Sequence, residues 1–173
     1  NWRRVLVGTC DAGAGEACHN LGVIYEFGEG VPADVKDAGF YYELACDKGT
    51  VEGCNHLGGV LMTQASAPEA QVEARRLFQQ ACDGGSLGGC TRLGVMALQA
   101  QGGPMDRALA REALTTACTG GDGQGCDQLG ILSLRPPKGQ LPDPKAAARY
   151  FSQACSAGFE PGFQARTDGS QAA

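Results

Sequence analysis

The chain has 173 residues, with 14 basic and 19 acidic side chains and a formal charge of −5. With no basic stripe this balance argues against a nucleic-acid partner, and no apolar run approaches the roughly 20 residues that a bilayer span requires. The unusual components are nine cysteines and 27 glycines, and both recur periodically rather than in a low-complexity tract.

Eight cysteines form four pairs, Cys10 with Cys18, Cys46 with Cys54, Cys82 with Cys90 and Cys118 with Cys126, each eight positions apart. The first members recur every 36 residues. A fixed period of this size marks a repeat array. Aligned on those cysteines, with Cys155 opening a fifth unit after a one-residue insertion, other columns repeat too. Alanine stands eight positions earlier (Ala38, Ala74, Ala110, Ala147), and alanine again immediately before the cysteine. The pairs Tyr41-Tyr42, Leu77-Phe78, Ala113-Leu114 and Tyr150-Phe151 lie five and four positions earlier. These offsets fall on one face of a helix.

In chain order, Asn1 lies inside the first helix of the first unit, and Trp2 takes the column that is alanine elsewhere, as suits an end unit. This start reads as a mature or trimmed fragment of a longer protein. A second helix is predicted from near 15, then the connector 26–33, then a helix over 34–48 and its partner from near 51. The pattern continues with helices over 69–84, from near 87, over 106–120, from near 123 and over 143–157. Asp34, Asp106 and Asp143 stand where they cap exposed amides, and Pro144 suits a first helical position. In the 69–84 unit Ser66 with Glu69 offers a displaced capping box. Gly13, Gly49, Gly85, Gly121 and Gly158, three positions after the first cysteine, suit the left-handed residue that ends a helix. Gly22, Gly58, Gly94 and Gly130 sit inside the second helices at a propensity cost of roughly 1 kcal/mol each; their register predicts close helix approach.

A turn of a few residues makes each helix pair an antiparallel hairpin. The cysteines end one helix and open the next, so they face each other as disulfides or lie as small buried thiols. Four pairs with one spacing favour disulfides, each stabilising by roughly 2–3 kcal/mol. Such bridges persist in oxidising compartments, which favours a periplasmic or secreted protein.

The runs A-C-D-K-G-T-V-E-G-C-N-H-L-G (45–58), A-C-D-G-G-S-L-G-G-C-T-R-L-G (81–94) and A-C-T-G-G-D-G-Q-G-C-D-Q-L-G (117–130), with the connector G-E-G-V-P-A-D (28–34), resemble Sel1-like repeats. The cysteine-bearing variety is similar to the Helicobacter cysteine-rich protein family. The resemblance implies an all-α, right-handed superhelical solenoid of antiparallel helix pairs, similar to tetratricopeptide arrays, with one disulfide per repeat. It spans residues 1–163, about four and a half repeats, and leaves 164–173 as a polar tail expected to fray. It also implies a bacterial adaptor outside the cytosol, and some members hold β-lactams. Cys155 has Phe163 where its partner belongs. It is therefore unpaired within its repeat: free and buried, paired with a residue outside this sequence, or linking two chains.

Motifs for chemistry are missing. Only His19 and His56 could act as imidazole bases, and their columns differ and vary between units, as surface positions do. There is no S-x-x-K, no C-x-x-C, no zinc-type C-x2–4-C pair and no phosphate loop. Asp34 and Asp37 are better explained as helix caps than as an acid–base pair. No catalytic residue, metal or cofactor is expected.

A solenoid offers an extended concave face. The resemblance places the first helices there, lined by Phe40 and Leu44, Arg76 and Gln80, Glu112 and Thr116, and Arg149 and Gln153, pairs four residues apart. Asn20, His56, Arg92 and Gln128 on the second helices are candidates for its edge. The strip suits a protein or extended peptide. The leading expectation is a non-catalytic binding scaffold, open to self-association end to end or through Cys155. The alternatives are a β-lactam or peptidoglycan-fragment binder with weak β-lactamase-like activity, and a cytosolic or organellar assembly factor using its thiols for redox or haem chemistry. The Pro-rich connector 135–142 reads first as a plain link between repeats and second as a contact segment.

Overall fold

The computed structural model describes residues 2–64 and 67–160, without the side chains of Trp2 and Gln64. The described residues form nine α-helices and no strand: α1 (Trp2–Asp11), α2 (Gly15–Phe27), α3 (Val35–Asp47), α4 (Val51–Gln64), α5 (Pro68–Asp83), α6 (Leu87–Leu98), α7 (Arg107–Thr119), α8 (Gly123–Leu134) and α9 (Pro144–Ser156). Each helix packs on the next, as a solenoid requires.

The helix starts follow from the caps. Asp34 accepts from the amides of Lys36 and Asp37, Asp106 from Leu109 and Asp143 from Ala146. Ser86 and Asp122 cap α6 and α8 in the same way, accepting from Gly89 and Gln124. The capping box expected at Ser66 falls partly outside the described residues. The helix there opens instead on Pro68 at its first position, after Ala67, which offers no side-chain acceptor.

The five short turns are built alike. Gly13, Gly49, Gly85, Gly121 and Gly158 have φ between 76° and 103°. Each donates its amide to the carbonyl of the preceding cysteine, and the following residue donates to the alanine or threonine just before that cysteine. Only a left-handed residue folds the backbone back far enough for both bonds.

Across the first four turns the cysteines are joined. Cys10–Cys18, Cys46–Cys54, Cys82–Cys90 and Cys118–Cys126 are disulfides with Cα separations of 4.5–4.8 Å. Cys155 is free. Its thiol is exposed rather than buried. The position that carries the covering cysteine in earlier units is Phe163 here, outside the described residues, as is the tail 164–173.

The core runs along the array as a chain of small clusters. Tyr42, Phe78 and Leu114 are buried, and each presses on a glycine of the helix before it. A Cβ on Gly22 would meet the Tyr42 ring at 2.5 Å, one on Gly58 the Phe78 ring at 2.7 Å and one on Gly94 Leu114 at 2.5 Å; Gly130 meets Phe151 in the same way. The glycine register therefore reflects close approach of the helices, as expected.

The two sets of helices are spaced differently. The even-numbered helices touch one another, α2 with α4, α4 with α6 and α6 with α8, whereas no odd-numbered pair makes an equally extensive contact. In a curved array the closer elements lie at the smaller radius. The inward side is therefore built from α2, α4, α6 and α8.

Candidate functional site

One polar column repeats along the inward layer. It lies two residues after the second cysteine of each pair and holds Asn20, His56, Arg92 and Gln128. Asn20 and Arg92 are exposed, and His56 and Gln128 half-buried. Every member carries an N–H donor, and none is a carboxylate.

Around its middle the column is fixed by a network that the sequence did not announce. The Tyr42 hydroxyl on α3 donates to Glu26 Oε2 on α2. The same oxygen lies 3.6 Å from His56 Nδ1 on α4. The His56 ring stacks on Tyr42 with centroids 4.9 Å apart and meets His19 edge-on at 5.1 Å. Buried His19 Nε2 has no hydrogen-bond partner among the described residues. One repeat further, Arg92 Nη1 on α6 donates to the backbone and side-chain oxygens of Asn55 on α4, both at 3.1 Å. Asn55 donates in turn to Glu52 at 2.9 Å, and the Arg92 guanidinium lies 5.7 Å from the Phe78 ring centre.

The environment biases the protons. Burial, and then the neighbouring His19, push the His56 imidazole below its ordinary range, against the pull of Glu26. Burial and the bond to Glu26 push the Tyr42 phenol up. Burial alone would raise Glu52, but hydrogen bonds from Ser86 and Asn55 and the nearby imidazoles outweigh it and hold the carboxyl low. His56 is therefore neutral and Tyr42 protonated near pH 7. The partners of these rings are a phenol and a carboxylate.

The other sequence candidates stand on the more widely spaced layer. Phe40 is 55 % exposed. Leu44 is half-buried against the Cys10–Cys18 cluster. Arg76 is tied to Glu73 and Gln80 on its own helix. Gln80 donates to Cys46 Sγ at 3.7 Å, and the Gln153 amide lies 3.6 Å from Cys118 Sγ, so both cover bridges of earlier units. Glu112 and Thr116 are exposed on α7, where the Thr116 hydroxyl bonds back to the Glu112 carbonyl. Arg149 lies over the Tyr150 ring at 5.1 Å.

A disulfide-bridged solenoid of helical hairpins with a recurrent donor column is the architecture of a repeat scaffold. The Sel1 repeat family model matches residues 15–50, 51–86 and 124–159, more than half of the chain, and the chain belongs to that family. Sel1 repeats generally serve as protein-interaction modules. No curated protein matches the sequence significantly. Among solved structures the fold is similar to c5321, a protective antigen of uropathogenic Escherichia coli with an SLR fold (22 % identity, TM-score 0.79, covering 90 % of this chain and 33 % of that one). It is also similar to a Sel1 repeat protein from Oxalobacter formigenes (19 % identity, TM-score 0.81, covering 90 % of this chain and 62 % of that one). The chain thus spans about a third and about three-fifths of these two proteins. The family's repeat begins at α2, α4 and α8, one helix later than a unit counted from the first cysteine. In that frame Cys46–Cys54 joins successive repeats instead of lying inside one.

No helix among the described residues is long and apolar enough to cross a membrane. The four bridges belong to an oxidising environment.

Proposed function

We propose that this chain is a non-catalytic scaffold, periplasmic or secreted, that binds an extended segment of another protein along α2, α4, α6 and α8. The observation that carries the reading is the column Asn20, His56, Arg92 and Gln128 on the closely spaced layer. A row of donors one repeat apart matches what an extended backbone offers, a series of carbonyl acceptors. Holding Arg92 through Asn55 and His56 through its stack on Tyr42 lowers the entropy lost on binding.

The test is selection of binders from a displayed library of twelve-residue peptides, followed by affinity measurement on variants. Arg92→Glu is expected to weaken a selected peptide about tenfold or more, and the double variant Arg76→Glu with Arg149→Glu to leave it unchanged. Loss in the double variant alone would move the contact to the odd-numbered helices. Failure to select any saturable binder would remove the reading.

A further inference from the structure

Equivalent positions on α3 and α5 are built differently, and the difference opens a groove. Seven residues before the first cysteine, α5 carries Arg75 and α3 carries Gly39. Arg75 reaches across to the connector after α6 and donates to the carbonyls of Gln101 (3.4 Å) and Pro104 (3.1 Å). It fills the space between its helix and the following hairpin. At Gly39 no side chain among the described residues does so, and a cavity of about 370 Å³ remains between α3 and α5. Its floor is Leu57, Val60 and Leu61 of α4, and Phe40 and Leu77 stand on its walls. This volume is at the small end of the range for ligand pockets.

The rim supplies the recognition. Lys36 and Glu43 line the groove on α3, seven positions apart, and both are exposed. Neither takes part in an ion pair among the described residues. The third rim charge, Glu73, is already neutralised by Arg76 at 2.6 Å. Seven helical residues rise about 10 Å, which is about three residues of extended chain. Side chains of an extended segment alternate between faces, so the charges that face the groove together stand an even number apart. A carboxylate and an amine four residues apart, about 13 Å, reach Lys36 and Glu43 through those long side chains, with the residue midway between them over the apolar floor.

We propose that the groove between α3 and α5 docks an extended segment of a partner protein in which an acidic and a basic residue, four apart, bracket an aliphatic side chain midway between them. This surface lies on the odd-helix layer and stands independently of the inward donor column.

Gly39→Arg is the direct test, because it installs the side chain that Arg75 uses one repeat later. A Cβ at Gly39 meets only Val60, at an ordinary 3.4 Å, so the variant is expected to fold. The probe is acetyl-Asp-Ser-Leu-Ser-Lys-amide, titrated into isotope-labelled protein to about 1 mM, with acetyl-Asp-Ser-Ser-Ser-Lys-amide as the control lacking the apolar side chain. Saturable amide shifts at Gly39, Val60 and Leu77 are expected with the leucine peptide only, weakened about tenfold in Gly39→Arg and in Glu43→Lys. Phe40→Ala provides a second variant should Gly39→Arg lose its native spectrum. No saturable shift, equal shifts with the serine peptide, unchanged affinity in the variants, or shifts confined to Asn20, His56 and Arg92 would each overturn the proposal.

Discussion

The Tyr42 hydroxyl is bonded to Glu26 while the Tyr42 ring presses on Gly22, so one side chain of α3 fixes both the distance and the rotation of α2. Removing the hydroxyl leaves the ring contact intact and strands a half-buried carboxylate. Tyr42→Phe should therefore cost about 1–2 kcal/mol, read as a lower midpoint in urea with unchanged slope.

Acid should weaken the same cluster. His56 is held below its ordinary value of 6.5, so the unfolded chain binds the proton more readily than the native one. Its contribution is complete above pH 6.5 and is lost as pH falls through the lower native value. Glu52, held below 4.5, adds a second loss at lower pH. Melting temperature should decline on acidification from pH 7 toward 4, and His56→Gln should flatten the upper part of that decline. A rise in stability toward pH 5 would contradict the assignment.

The glycine column offers a packing test. Gly94→Ala must displace Leu114, which is buried, and should cost about 1–3 kcal/mol through overpacking. Gly8→Ala on α1, where an added Cβ would meet no packed neighbour among the described residues, should stabilise slightly through helix propensity. Paired thermal melts of the two variants separate these effects.

Cysteine chemistry is the most direct check. Alkylation without reductant, read by intact mass and peptide mapping, should label Cys155 alone and recover four local bridges. Breaking one bridge by Cys46→Ser with Cys54→Ser should cost about 2–3 kcal/mol. Nine labelled thiols in protein never exposed to reductant would argue against the oxidising setting.

Much of the fold is legible because its determinants are local. A cysteine, the glycine three positions on and an aspartate twelve positions back set the ends of α3, α7 and α9 to within a residue or so. What the sequence hides is set by the pitch between repeats. Counting units from the cysteines puts the helices bearing Phe40, Arg76 and Arg149 on the concave side; the spacing of the even helices places Asn20, His56, Arg92 and Gln128 there. That pitch sums small rotations that no single column encodes. The Tyr42–Glu26–His56 cluster draws on three helices at unrelated columns, and the reach of Arg75 depends on the path of a connector. Neither has a periodic signature.

The turns that hold Gly13, Gly49, Gly85 and Gly121 lie inside loops closed by sulfur, whereas the connectors at the other ends of the helices do not. A protease that cuts at one of these turns leaves two fragments still covalently joined, with their hairpins in place. A cut in the connector 135–142 releases α9 from everything but its packing. The molecule therefore has a durable edge and a vulnerable one, and in a protease-rich environment its lifetime is decided at the connectors.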